Sequence, residues 1–178
     1  MTRIFLDATT LIALGTIGEL EHLTSFSGDL VVLEAVQNEV TTEPAQTNLT
    51  RLIEQYEVET TDSVVADRLQ QAKEVLGEEE KIGDVYLISA VLGYTADDQP
   101  VGIISDDRRV RTTARGLGAR VTGTIGVVVR AVEDGLDREE AYMLVDRIDS
   151  QGLHMTGSLR EKAYSLIDDA AETTPSEQ

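Results

Sequence analysis

The sequence lacks cysteine and has only two histidines, and each shortage excludes a class of site. Without cysteine there can be no disulfide, no thiolate metal ligand and no cysteine nucleophile. His22 and His154 lie far apart in the chain, so a zinc site built on histidine is not expected. No apolar run approaches the roughly 18 residues of a membrane span, and the N-terminal MTRIFLD has no signal-peptide core. These absences predict a cytoplasmic protein without a membrane partner.

Basic residues are also scarce. There are 15 Lys and Arg against 33 Asp and Glu, which gives a formal net charge of −18. Lysine is rarer than arginine, and such an acidic, lysine-poor composition resembles that of proteins from a salt-loaded cytoplasm, so we expect a halophilic protein. The alternative is an acidic protein of ordinary origin. The net charge argues against nucleic-acid binding in dilute buffer, but molar salt screens this repulsion and leaves local charge clusters to decide.

The order of apolar segments predicts the fold. Short apolar runs at 3–7, 29–33, 101–105 and 119–122 are typical of buried strands, and they alternate with segments of helical periodicity. The predicted helices include 34–42, 45–55, 63–76, 78–94, 107–117, 124–134, 137–150 and 158–171. Alternating strands and helices predict an α/β fold with a mainly parallel sheet covered on both faces. We expect one domain over 1–167, followed by an acidic, frayed tail over 168–178.

Several carboxylates stand at positions where apolar residues are expected. Asp7 ends the first predicted strand, and Asp106 and Asp107 follow directly after the strand VGIIS. Glu39 and Asp84 fall on the apolar sides of their predicted helices. Each has a local alternative, as a helix cap or as a solvent-facing acid. Together, acids that converge without histidine or cysteine fit Mg²⁺ or Mn²⁺, and the matching reaction class is phosphodiester hydrolysis.

An arginine cluster follows these acids. Five arginines fall between positions 108 and 120, and Arg108, Arg111 and Arg115 share one face of a predicted helix. Guanidinium groups bind phosphate oxygens in bidentate fashion, so this face is a candidate nucleic-acid-binding surface. The alternative is a solvated helix face whose arginines pair with neighbouring acids.

Four segments, in this order, resemble the motifs of PIN domains, the metal-dependent nuclease fold of many prokaryotic toxins. They are FLDATTLIAL, VVLEAVQNEV, GDVYLISAVL and GIISDDRRVRTTARGLGARVTGTIGVVVRA. The GTIG stretch is similar to the C-terminal GTxG segment of one PIN subgroup. The resemblance places the family's acids on Asp7, Glu39, Asp84, and either Asp106 or Asp107.

The resemblance also implies a three-layer α/β/α sandwich, Mg²⁺ or Mn²⁺ as cofactor, and cleavage of single-stranded RNA. We assign all five acids to catalysis, and the metal ligands to Asp7, Glu39, Asp84 and Asp107. Tyr86 replaces an accessory carboxylate of many relatives, which puts tight binding of a second metal ion in doubt.

These features predict a metal-dependent endoribonuclease, with a role as the toxin of a toxin–antitoxin pair. The expected partners are single-stranded RNA, a small antitoxin protein and a second copy of the chain in a homodimer. One alternative is a PIN-like module that binds RNA or protein and cleaves weakly or not at all. The other is a structural interaction domain whose acids serve only salt tolerance, and it predicts acids on solvent faces.

Overall fold

The computed structural model describes residues 1–61, 66–80, 82–151 and 153–173. Within these ranges five parallel strands form one sheet in the order β3-β2-β1-β4-β5. The strands are β1 (Arg3–Leu6), β2 (Asp29–Val32), β3 (Glu59–Thr60), β4 (Val101–Ile104) and β5 (Arg120–Thr122). The prediction of an α/β fold with a parallel sheet is confirmed.

Helices flank this sheet. In the described part of the chain they are α1 (Ala8–Thr16), α2 (Glu34–Gln37), α3 (Ala45–Tyr56), α4 (Leu69–Leu76), α5 (Gly83–Ala96), α6 (Arg108–Gly116), α7 (Thr124–Glu133), α8 (Arg138–Gln151) and α9 (Gly157–Thr173). Short 3₁₀ turns cover Leu20–Ser25 and Ala66–Arg68. Helix α5 is apolar on most sides and lies in the core, where Leu87, Ile88 and Val91 are fully buried. No helix in the described ranges is long and apolar enough to cross a membrane.

The register of the two central strands positions the candidate site. Leu6, the last residue of β1, pairs with Ile104, the last residue of β4. The strand pairing continues one residue further, because the backbone N–H of Asp7 donates to the carbonyl of Ile104 at 2.9 Å. Parallel strands end at the same edge of a sheet, so Asp7 and Ser105 become neighbours although 98 residues separate them in the chain.

Three predicted helices have bounds that differ from those in the structure by several residues. The predicted helix 34–42 ends at Gln37, and Glu39 lies in the turn that follows. The predicted helix 78–94 begins only at Gly83. Its first backbone N–H donates to the Glu39 carboxylate at 2.7 Å, a long-range contact that local sequence does not show. The predicted helix 63–76 corresponds to α4, and its residues 63–65 lie outside the described residues.

The C-terminal helices α8 and α9 pack against each other and against α7. The rings of Tyr142 and Tyr164 meet edge to face, with centroids 5.0 Å apart. Helix α9 continues to Thr173, and Ile167 and Ala170 are buried on its inner face. The first part of the expected 168–178 tail is therefore helical, and residues 174–178 lie outside the described residues.

Candidate active site at the carboxyl edge of the sheet

Asp7 is the most buried acid at this edge, with 1% of its surface exposed. Its Oδ2 accepts hydrogen bonds from the hydroxyls of Ser105 at 2.5 Å and Thr9 at 2.7 Å. Burial raises the pKa of the Asp7 carboxyl above its ordinary value, and the nearby charge of Asp84 adds to the rise. The two hydroxyl bonds oppose this rise without cancelling it. Among the described residues no Lys or Arg forms an ion pair with Asp7, so its negative charge lacks a cationic partner there.

Asp106 joins three elements at the same edge. Its Oδ1 accepts from the backbone N–H of Thr124 at 2.9 Å, and its Oδ2 accepts from the hydroxyls of Thr124 and Thr10. Its own backbone N–H donates to the Thr9 hydroxyl at 3.1 Å. The carboxylate thus connects the start of α1, the loop after β4 and the start of α7, with neutral donors on both oxygens.

Asp107 has the capping role that was the local alternative for this pair of acids. Its Oδ1 accepts from the backbone N–H of Val110 at 2.9 Å, which makes it the N-cap of α6. Its backbone N–H donates to the Ser105 hydroxyl at 3.0 Å. Ser105 therefore donates to Asp7 and accepts from Asp107.

Asp84 and Glu39 lie at the start of α5. Asp84 is partly exposed and pairs with Arg109 at 3.0 Å, and the same guanidinium pairs with Glu78 at 3.1 Å. Hydrogen bonds to Asp84 and Glu78 raise the pKa of Arg109 above its ordinary value. A charged arginine in this position offsets part of the acidic charge at the edge.

The expected placement of Glu39 inside an apolar helical stripe is wrong. Glu39 follows α2 and is exposed, and only its tertiary contact with Gly83 brings it to the edge. A Cβ on residue 83 would lie 2.8 Å from Glu39 Oε1, so glycine permits this close approach. The structural-domain alternative predicted exposed acids, and Glu39 agrees with it in this respect, whereas the burial of Asp7 does not.

The chemistry of these side chains fits a hard divalent ion, since carboxylate oxygens are the ligands that Mg²⁺ and Mn²⁺ prefer. A cation beside Asp7 would also offset the cost of its buried negative charge. However, within the described ranges no three Asp, Glu or His side chains are arranged so that they could hold one ion. The donor atoms are thus suitable, but their arrangement is not that of a formed metal centre.

The three arginines that were expected to bind nucleic acid have different environments on α6. Arg108 and Arg115 are exposed, and neither forms an ion pair within the described part of the chain. Arg111 is half-buried and donates to the carbonyl of Ser105 at 3.3 Å. The opposite face of the helix buries Val110 and Ala114, as its sequence pattern indicates. Binding of nucleic acid by this face remains a prediction.

The parallel sheet agrees with a comparison against known families. A family model described as a PIN domain matches residues 3–169. The chain belongs to the PIN-domain family. PIN domains are generally nucleases and typically use divalent metal ions. No curated protein matches the chain.

The resemblance already indicated Ser105 as the small hydroxyl residue before the last acid, but sequence reasoning missed the bonds of the threonine hydroxyls and of Arg109 to the acids of this PIN domain. Hydroxyls of Thr9, Thr10, Ser105 and Thr124 supply most of the side-chain hydrogen bonds to Asp7 and Asp106. The pair Thr9–Thr10, two residues after Asp7, was a usable signal, because two hydroxyls there can reach a neighbouring loop. Arg109 was visible in the arginine cluster, but its pairing with Asp84 depends on how α5 and α6 pack.

We expect Ser105→Ala to destabilise this PIN domain by about 1–3 kcal/mol, because the backbone N–H of Asp107 loses its acceptor and the buried Asp7 carboxylate loses one of its two hydroxyl donors. It should also raise the pKa of Asp7 further, since one of the two hydroxyl bonds that lower it is lost. Urea unfolding measures the first effect. The control is Thr24→Ala, which removes an exposed hydroxyl in the 3₁₀ turn Leu20–Ser25. Equal stability of the two variants would contradict a structural role for Ser105.

Proposed function

We propose that this PIN domain is a metal-dependent endoribonuclease that hydrolyses phosphodiester bonds of single-stranded RNA. The observation that carries the proposal is the Asp7 carboxylate, which is buried at the carboxyl edge of the sheet beside a second acid. Burying an anion in this way costs stability and is typical of functional sites. Open α/β sheets bind their ligands at this edge, where several loops meet.

The ligands we propose for Mg²⁺ or Mn²⁺ are Asp7, Glu39 and Asp84, with Asp107 or Asp106 as the fourth. When bound, such an ion activates water and stabilises charge on the phosphoryl group. The carboxylate of Asp107 caps α6, whereas that of Asp106 is bonded to Thr10 and Thr124 at the starts of α1 and α7, on the same edge as Asp7. We therefore favour Asp106 as the fourth acid of the site.

The remaining residues orient groups or attract substrate. Ser105 and Thr9 hold the Asp7 carboxylate in one orientation, and Arg109 pairs with Asp84. Arg108 and Arg111 extend from the helix that begins directly after the acids, where they can attract the phosphates of a strand. The toxin role, the antitoxin partner, the homodimer, and the cytoplasmic and halophilic setting rest on the resemblance and composition alone.

A divalent ion is expected both to activate cleavage and to stabilise the fold. An ion that binds only the folded state raises the unfolding temperature by mass action, and here it also removes repulsion between Asp7 and Asp84. The measurement combines gel analysis of a labelled single-stranded RNA with thermal melts, in Mn²⁺ or in EDTA, at constant ionic strength. Ca²⁺ at the same concentration serves as the control for general charge screening.

Cleavage that persists in EDTA would contradict metal dependence. An unfolding midpoint that Mn²⁺ raises no more than Ca²⁺ would contradict a site selective for Mn²⁺.

The same assay tests the second candidate function, a PIN-like module that binds RNA or protein without cleaving. The absence of a three-acid metal cluster among the described residues favours that alternative, as does the pairing of Asp84 with Arg109. RNA binding without cleavage in either metal would support it.

A further inference from the structure

A groove lies between the turn that opens α7 and the helix α9. We call it the α7–α9 groove; its lining includes Arg111, Ile125, Leu159, Lys162 and Leu166. Its volume is about 400 Å³, within the range of about 300–1,000 Å³ that is usual for small-ligand pockets. Leu159 and Leu166 are 40% and 37% exposed, so they give the groove an apolar wall on α9.

The groove is positively charged in a protein of net charge −18. Arg111 and Lys162 line it, and Asp106 is the one acid among its lining residues that the structure describes. The two cations therefore outnumber the one acid in this lining. Lys162 forms no ion pair within the described ranges, so its ammonium group is available to an anion. The combination of an apolar wall and two cations suits a ligand that is part apolar and part anionic.

The groove borders the candidate active site. Asp106 lines the groove and is bonded to Thr10 at the start of α1. Arg111 donates to the carbonyl of Ser105, whose hydroxyl bonds Asp7. A Cβ on residue 123 would collide with Arg111 Nη1 and with Asp106 Oδ1, so Gly123 lets the guanidinium lie against the turn. A strand that passes the acids could thus place its next nucleotide in the groove.

We propose that the α7–α9 groove binds one nucleotide of the substrate strand, with its base on the leucines and its phosphate on Arg111 and Lys162. The proposal rests on the proposed ribonuclease function, because it assigns a subsite to that enzyme's substrate. The leucine wall is aliphatic and makes no base-edge contact of its own, so this wall accepts any base. The subsite selects for a phosphate joined to a flat ring whose face can lie on the leucines.

The absence of tryptophan from the chain permits a direct binding test. Leu159→Trp places a single tryptophan at the groove, and Met143→Trp places one on α8 at a side chain that is 58% exposed and does not line it. The probes are AMP, adenosine and inorganic phosphate, and all are measured in EDTA. AMP is expected to quench the tryptophan at 159 saturably and the one at 143 not at all. Adenosine and phosphate should each bind at least about tenfold more weakly than AMP.

Charge reversal tests the assignment of the phosphate contact. Lys162→Glu, added to the Leu159→Trp chain, should weaken AMP binding by about tenfold or more, because it replaces attraction by repulsion. Arg51→Glu makes the same change on an exposed residue of α3 and should leave AMP binding unchanged. Anisotropy of a labelled single-stranded RNA with Lys162→Glu alone provides a second measurement that does not depend on the introduced tryptophan. It should show weaker binding than the parent.

Several results would overturn the groove assignment. They are equal quenching at both tryptophan positions, adenosine binding as tightly as AMP, and RNA binding unaffected by Lys162→Glu. RNA cleavage in Mn²⁺ without AMP binding overturns the groove and leaves the ribonuclease proposal standing. Specific AMP binding without cleavage supports the groove and contradicts the ribonuclease proposal.

Discussion

Asp7→Asn is expected to lower the rate of RNA cleavage by about a thousandfold while leaving single-stranded RNA binding intact. The substitution removes the charge of the buried acid that we propose as a metal ligand, and a bound ion contributes several kcal/mol of transition-state stabilisation. The asparagine carbonyl can still accept the bonds from Ser105 and Thr9. Binding should not weaken, because one negative charge fewer faces the phosphate backbone. Paired cleavage and anisotropy measurements on one RNA separate the two effects.

The matched control is Asp29→Asn. Asp29 begins β2, a neighbour of β1, so it lies at the opposite edge of the sheet and is exposed. The Asp29→Asn variant should cleave RNA at the parental rate. If Asp7→Asn also cleaves at the parental rate, Asp7 is not catalytic, and the non-cleaving module becomes the better account. Circular dichroism of both variants shows whether loss of folding contributes.

The same substitution should increase stability in EDTA at neutral pH. The pKa of Asp7 is higher in the folded protein than its ordinary value, so the folded state binds a proton more tightly than the unfolded state. The parent therefore loses stability as pH rises from about 3.9, the ordinary Asp pKa, through the raised value. Asp7→Asn does not titrate, so its advantage should be absent below this window and complete above it. An advantage that does not change with pH in urea unfolding would contradict this cause.

Replacing Arg108 and Arg111 by Ala is expected to weaken binding of single-stranded RNA by about a hundredfold at low salt. Two charge-assisted contacts are lost, and about 1.4 kcal/mol for each corresponds to a factor of ten. The dependence of log K on log salt should flatten by about 1.4, because each phosphate contact on a single strand contributes about 0.7. Anisotropy across a salt series measures both quantities. The fold should persist, since α6 is held by Val110 and Ala114 on its other face.

The control is a double replacement of Arg51 and Arg68 by Ala, which removes the same charge from exposed residues outside α6. It separates a local contact from the change in net charge. If both double variants bind RNA equally, the arginines of α6 are solvated surface and the strand follows another path. If the α6 variant loses affinity but keeps the parental salt slope, the lost contact is not with phosphates.

Much of the fold could be predicted from short-range patterns. The apolar runs around Phe5 and Ile103 are buried strands, because residues without polar side chains can lie between two helical layers. The position of Asp7 at the edge of the sheet followed from its place after such a run. The PIN-domain family and the parallel sheet were both predicted and are confirmed. The roles of the individual acids and arginines stay predictions.

The sequence by itself thus determined which segments are buried and which acids stand at strand ends, since both depend on neighbouring residues. Only the tertiary structure decided what these acids contact. Asp7 meets a hydroxyl 98 residues away, Gly83 meets Glu39 across 44 residues, and Arg109 meets Asp84 across 25. Such pairs form when separate helices and strands pack against one another, so they cannot be predicted from periodicity or from spacing along the chain. The position of Glu39 was mispredicted for the same reason. It lies beyond the end of α2, and a long-range hydrogen bond from Gly83, not a local pattern, holds its carboxylate at the site.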